Sequence, residues 1–401
     1  MGMRACCLAA ALALCGAPVA SAGRSVSVGY RAPSDLHGLR VVARVPAIHA
    51  AEVRVSGPSA IRALRLRPGI RYVRPLALRT KTDANVGLGL AVPDWQWSAI
   101  YQDLVPDWVW AVVSSITVAV IDTGADVAAP SIAGKSPITW NVATGKPAVT
   151  DAVGHGTFVA SLAAGAADDA TGVEGFGGDA RLMIVQANRG SATFSDFDEA
   201  RAILWAVDNG ARIVNLSIAG TSTSPVERAA IRYATSRGVL LVAAAGNAAQ
   251  DGNPRTYPAA LLGRAGLVVG ASTQRGSRAA FSTTGRYVDV LAPGVNVLGA
   301  LSTDSANPAL FAPASIASYG YGSGTSYAAP EVAGAAALVW AANPLLNAAG
   351  VATLLSGTTA QAGVWSTDLA FGTIDVSAAV ARAQSGSLPI LTYPAKPRRL
   401  R

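Results

Sequence analysis

The chain has 401 residues, of which 51% are hydrophobic and 14% charged, with a formal net charge of +8. This composition excludes disorder over most of the length and leaves material for one large core plus a small one. The charge alone would suggest a nucleic acid or an anionic surface as partner, but its distribution does not. Residues 23–90 carry 12 Lys and Arg against 3 Asp and Glu, whereas residues 91–391 carry 15 against 21. A basic front part and an acidic main part fit two pieces that attract each other; a solvated basic face is the alternative.

Residues 1–22 hold one charge (Arg4), an apolar run over 5–15 and the small-residue ending Ala20-Ser21-Ala22. That order reads as a cleavable secretory signal, the run being too short to span a bilayer. It implies an extracellular or periplasmic product with no membrane segment in the mature form. A retained anchor is a weaker reading. So is a lipoprotein signal at Cys15, because Leu14 is larger than the small residue such a site needs. All three cysteines, Cys6, Cys7 and Cys15, lie in this segment. The mature chain then has no disulfide, no Cys-ligated zinc and no Cys nucleophile.

Residues 23–90 read as a small α+β unit, with a β-like run at 39–45, a helix near 48–55 and strands reaching 69–75. Residues 78–90, polar and glycine-bearing, read as an exposed linker open to proteolysis. From about residue 95 the pattern changes. Apolar runs at 116–121, 181–186, 211–218, 239–245 and 266–271 alternate with helical stretches such as 196–209 and 224–237. Strands buried on both faces between helices predict a mostly parallel sheet covered on each side, an α/β fold in three layers. Functional side chains then belong at strand ends and helix starts. The alanine-rich run at 332–342 reads as a core helix rather than a membrane span. The expected divisions are 1–22, 23–90, 91–387 and a basic unstructured tail over 388–401.

Of three histidines, His37 and His49 lie in the basic front part and only His155 in the main part. If the main part does acid–base chemistry near neutral pH with a histidine, His155 is the base. It sits in Asp151-Ala152-Val153-Gly154-His155-Gly156-Thr157, between two glycines and before a helix expected over 157–166. Taken alone, it reads more simply as a core or surface histidine.

Ser326 lies in Gly322-Ser323-Gly324-Thr325-Ser326-Tyr327-Ala328-Ala329-Pro330. A glycine-rich turn into a helix places its hydroxyl where peptide dipoles and free N–H groups favour negative charge. Pro330 fits if it falls in the first turn; a structural helix cap is the plain alternative. Asp122 ends an apolar strand in Val120-Ile121-Asp122-Thr123-Gly124, where a carboxylate needs a partner and an imidazole N–H suits. Asp-Thr-Gly also marks aspartic peptidases, which need two carboxylates to share a proton, and the chain has one copy. Asn247, in Ala245-Gly246-Asn247, follows another apolar strand and offers an amide donor to an oxyanion.

These four blocks, in the order Asp, His, Asn, Ser, resemble the subtilisin-like (subtilase) family of serine peptidases over roughly residues 95–380. The resemblance implies a triad of Asp122, His155 and Ser326. Asn247 and the Ser326 N–H would stabilise the tetrahedral oxyanion. It also implies polypeptide substrates held between two strands by main-chain hydrogen bonds, at Gly190, Ser191 and Ala192 on one side and Ser217, Ile218 and Ala219 on the other. Gly246 would belong to the wall of the first side-chain pocket. Residues 23–90 resemble the family's propeptide, which folds onto its enzyme and leaves its C-terminal strand in the cleft until cut; a permanent N-terminal extension is the alternative.

Some positions depart from the family pattern. Tyr327 and Glu331 stand where Met and His are usual, Phe158 where a second His is common, and Ala219 where Gly is usual. The last adds a methyl at the pocket rim. No organic cofactor is called for. Family members often carry calcium at surface loops, but the pair Asp168-Asp169 does not supply the six to eight oxygens of such a site, so a structural calcium ion stays open. Two other classes compete: a catalytically silent binding or inhibitor-retained relative, and an α/β-hydrolase esterase. The esterase would need Gly-x-Ser-x-Gly with its acid and base after the serine, whereas here the serine comes last and residue 328 is Ala.

Overall fold

The computed structural model describes residues 24–84, 95–166, 174–305, 307–311, 318–359, 371–386 and 388. The signal segment, residues 85–90, the Asp168-Asp169 loop and the tail beyond residue 388 lie outside them. The chain divides into two compact units, the first ending at Pro75 and the second beginning at Leu76.

In the first unit four antiparallel strands, β1 (Arg24–Tyr30), β2 (Arg40–Val45), β3 (Ala50–Val55) and β4 (Ile70–Pro75), are ordered β2-β3-β1-β4. Helix α1 (Pro58–Leu66) adds Leu64 to a core of Val26, Val28, Val53 and Val73. The helix expected near 48–55 is therefore strand β3. Its valines at 53 and 55 alternate across Arg54, the period of a strand, and its backbone pairs on both sides with β1 and β2. The helix comes later, where Pro58 presets the first helical residue.

The second unit holds the expected parallel sheet. Strands β6 (Thr117–Asp122), β7 (Ile138–Asn141), β8 (Arg181–Gln186), β10 (Ile213–Leu216), β12 (Leu240–Ala244), β13 (Gly266–Ser272) and β14 (Val290–Pro293) are ordered β14-β13-β12-β10-β6-β8-β7. Every pairing between neighbours is parallel. Val118, Val120, Leu182 and Ile184 share a core with helices α5 (His155–Ala164) and α8 (Thr325–Ala342). The alternate residues Ala119, Ile121, Met183 and Val185 are equally buried, which requires cover on the opposite face. There α6 (Asp196–Asp208) packs on β6 and β8, and α7 (Pro225–Ser236) on β12 and α6. Shorter helices α2 (Trp95–Ser98), α3 (Asp107–Val112) and α4 (Pro130–Ala133) precede α5, and α9 (Ala348–Gly357) and α10 (Val376–Ser385) follow α8. Among the described residues no helix is long and apolar enough to cross a membrane.

Helix α8 runs almost wholly buried through the middle of the unit. Its alanines and glycine lack bulk, so sheet and helices approach it closely. Pro330 is its sixth residue rather than part of its first turn, and a proline there removes the N–H that would bond the Ser326 carbonyl. The Ser217 hydroxyl replaces that donor at 2.7 Å.

The segment expected as an exposed linker is ordered over its first residues. Strand β5 (Leu78–Lys81) lies antiparallel between β11 (Ile218–Ala219) and β9 (Thr193–Ser195). Arg79 in its middle is fully buried. The main chain finds ladder partners on both sides, and the Arg79 side chain finds carboxylates; polarity read along the sequence could not anticipate either.

Candidate active site

Parallel strands end on one edge of the sheet, and the candidate residues stand there. Asp122 is the last residue of β6, Ser217 follows β10 and Asn247 follows β12. His155 is the first residue of α5, with Gly154 in the left-handed region at φ 77° turning the chain into it. The helix thus begins two residues before the expected 157. Ser326 is the second residue of α8.

Asp122 and His155 are brought together. His155 Nδ1 lies 2.7 Å from Asp122 Oδ1, which also accepts the Thr123 N–H at 2.7 Å. Both side chains are buried. The loop before the histidine is fixed by Asp151, whose carboxylate accepts from Thr123 Oγ1, from the N–H groups of Gly154 and Thr157, and from Thr157 Oγ1. Tyr327 packs its ring 5.7 Å from the imidazole and 4.5 Å from Phe158. Two of the departures from the family pattern thus form the apolar wall behind the histidine.

Ser326 does not bond to His155 in this arrangement. Its hydroxyl contacts the Ser217 carbonyl at 3.0 Å, accepts the Thr82 N–H at 2.9 Å and contacts Thr82 Oγ1. The partner-side nitrogen of the imidazole, Nε2, faces Asp83 Oδ1 at 3.7 Å. Burial works against a charge on His155, but Asp122 and then Asp83 outweigh it and raise its pKa. Burial likewise works against the charge on Asp83, but His155 and Lys81 outweigh it and lower its pKa.

The Thr82 carbonyl occupies the donor pair expected for an oxyanion. It accepts from Asn247 Nδ2 and, at 3.3 Å, from the Ser326 N–H. Thr325 orients the amide by donating its N–H at 3.0 Å and its hydroxyl at 2.9 Å to Asn247 Oδ1. Gly324 is required where the strand passes: a Cβ there would stand 2.4 Å from the Thr82 oxygen and 2.9 Å from Asp83 Cα. Beyond the carbonyl, the Ala84 N–H donates to Ser323 O at 2.6 Å.

The residues expected to hold a substrate lie on either side of β5. Ile218 pairs with Lys81 and Ala219 with Thr80, and Ser217 reaches Ser326. On the other side the paired residues are 193–195, not 190–192. Gly190 is in a left-handed turn at φ 87°, and Ser191 closes that turn by accepting Asn188 Nδ2. The ladder begins only once this turn is complete. Gly246 directs its N–H to Thr325 Oγ1 and its carbonyl to Thr283 N. Sequence patterns singled out none of Thr82, Asp83, Asp151 and Thr325; Thr82 meets Ser326 across 244 residues, Thr325 meets Asn247 across 78 and Asp151 meets Thr123 across 28.

A buried carboxylate–imidazole pair, a serine at a helix start and two donors around one carbonyl thus stand together at this edge of the sheet. The profile of the subtilase family matches residues 114–375, and the chain belongs to that family. It is similar to an alkaline protease of Alkalihalobacillus alcalophilus, with 35% identity over 287 residues, 72% of this chain and 68% of that protein. It is also similar to a thermophilic serine proteinase of a Bacillus species, with 37% identity over 224 residues, 55% of this chain. The match spans about half, 51%, of that proteinase's length. Among solved structures, fervidolysin of Fervidobacterium pennivorans, a keratinolytic enzyme related to subtilisin, superposes with a TM-score of 0.77. Its identity is 25% over 92% of this chain and 61% of that one.

Proposed function

We propose that this chain is a secreted serine endopeptidase that frees itself by cutting its own Thr82–Asp83 bond. One observation carries the reading: the Thr82 carbonyl lies against both Asn247 Nδ2 and the Ser326 N–H, with the preceding residues paired between two strands as a peptide substrate would be. Ser326 attacks that carbonyl, and His155 takes its proton and then gives it to the departing Asp83 nitrogen. Asp122 holds the tautomer with the proton on Nδ1, and water releases the acyl group by the reverse sequence. The first compact unit, with β5 as its continuation, is then the propeptide, and residues 1–22 are its export signal. The alkaline and thermophilic proteinases it resembles support polypeptides as the substrates.

The test is to express the chain without residues 1–22, as wild type and as Ser326→Ala, and follow intact mass, N-terminal sequence and digestion of an unfolded protein. The wild type should yield a mature chain beginning at Asp83 and digest the protein, while Ser326→Ala stays whole and inert. If both fold but stay whole and inert, the catalytically silent reading replaces this one. A mature chain beginning elsewhere would retain the peptidase and reject the Thr82–Asp83 bond.

A further inference from the structure

We infer that Glu199 and Glu227 form a subsite for an arginine side chain four residues upstream of the bond that is cut, counting Thr82 as the first. The inference rests on reading β5 as the occupant of the substrate cleft and adds the chemical class that cleft selects. In the register of β5 that fourth residue is Arg79, opposite Phe194 of β9. Its guanidinium is fully buried. Nε donates to Glu227 Oε1 at 3.2 Å, Nη2 donates to the same oxygen, and Nη1 donates to Leu78 O at 3.0 Å. Glu199 Oε2 stands 3.2 Å from Nε, and both carboxylates have 0% side-chain exposure.

Both carboxylates are held by their own helices. Glu199 and Glu227 stand in the first turns of α6 and α7, where the helix dipoles favour anions. The Ser224 hydroxyl caps the Glu227 N–H at 3.3 Å, and Thr223 Oγ1 donates to Glu227 Oε2. A third carboxyl, Asp196, accepts the Ala77 N–H at 3.0 Å. Gly220 leaves the passage open: a Cβ there would stand 2.4 Å from the Leu78 oxygen and 2.9 Å from Arg79 Nη1.

With β5 in place, Arg79 is the cation these buried carboxyls face. Among the described residues neither Glu199 oxygen has a hydrogen-bond partner. Burial, and then Glu227, drive the Glu199 pKa well up. Burial pushes that of Asp196 up to about 6. A strand seated here with a neutral side chain in place of Arg79 would leave these carboxyls buried without a cation, relieved only by protons. Arginine suits it better than lysine, because its planar fork reaches Glu227 from two nitrogens while a third serves the strand carbonyl.

The experiment uses the mature chain and quenched peptides copying residues 77–86, with Arg, Lys, Ala or Glu at the position of Arg79. The expected kcat/KM for Arg exceeds that for Ala by about 10–100-fold, the range for a charged hydrogen bond, with Lys between them and Glu last. In Glu199→Gln/Glu227→Gln the Arg-to-Ala ratio should fall several-fold. If that variant does not fold, the four-peptide series on the wild type decides by itself. Equal rates for Arg, Ala and Glu would overturn the subsite while leaving the peptidase reading intact. A folded wild type that cuts no peptide would overturn the peptidase reading first.

Discussion

His155 Nε2 stands 3.7 Å from Asp83 Oδ1, on the side of the ring where a serine hydroxyl would be needed for proton transfer. The ring therefore lies between two carboxylates, Asp122 and Asp83, which favour its protonated form.

That arrangement has a pH consequence. An anion beside an imidazolium raises its pKa, so neutral base becomes abundant only at higher pH. Asp83→Asn removes one of the two anions and should shift the midpoint of self-cleavage to lower pH, as read by single-turnover mass analysis from pH 5 to 9. A midpoint that stays in place or moves upward would show that Asp83 does not act through His155.

Asn247→Ala removes one of the two donors to the Thr82 carbonyl. Loss of such a donor lowers kcat by about 10²–10³, a magnitude whose reference measurement is on a subtilisin. The mature chain should show that loss in kcat with KM little changed. A loss carried mainly by KM would mean that the amide binds substrate rather than stabilising the transition state.

The Ser217 hydroxyl serves a carbonyl that Pro330 leaves without its helical donor. Ser217→Ala should destabilise the fold by about 1–3 kcal/mol, the cost of a buried acceptor left alone. Pro330→Ala returns an N–H four residues on, so the double variant should lose less than the two single losses added. Denaturant unfolding in a Ser326→Ala background measures the cycle, and strict additivity would contradict it.

Glu331 lies inside α8 with 0% exposure, and among the described residues neither carboxyl oxygen has a partner. Burial drives its pKa well up. The folded chain keeps a proton that the unfolded chain releases above about pH 4.3, so stability falls as pH rises from there toward the folded pKa, by at most about 1.4 kcal/mol per unit. Glu331→Gln should flatten that dependence, and its advantage over the parent should grow between pH 5 and pH 9. A constant difference across that range would mean that Glu331 is already charged in the fold.

Local chemistry made much of this legible in the sequence. Short apolar runs such as 116–121 and 239–245, alternating with helical stretches, read as strands covered on both faces, so the parallel sheet followed from them. Glycine-flanked His155 and the glycine-rich approach to Ser326 marked helix starts, although the helix at His155 begins two residues early. Where two periods overlapped, local reading failed: residues 50–55 became a strand because two neighbouring strands took their hydrogen bonds. The left-handed turn at Gly190 leaves residues 193–195, rather than 190–192, paired with β5, for a reason that no motif records.

Residue types and their order determined the parallel sheet and brought four candidate side chains to notice; tertiary structure alone decided what meets them. A polar stretch such as 78–84 carries no sign of its fate, because strand pairing and a buried ion pair are supplied by residues up to 148 positions away. Only the folded chain could place the Thr82 carbonyl between Asn247 and Ser326 and the Arg79 guanidinium between Glu199 and Glu227. Hydrogen bonds and charges act through space, and their energy depends on a burial that sequence distance does not encode.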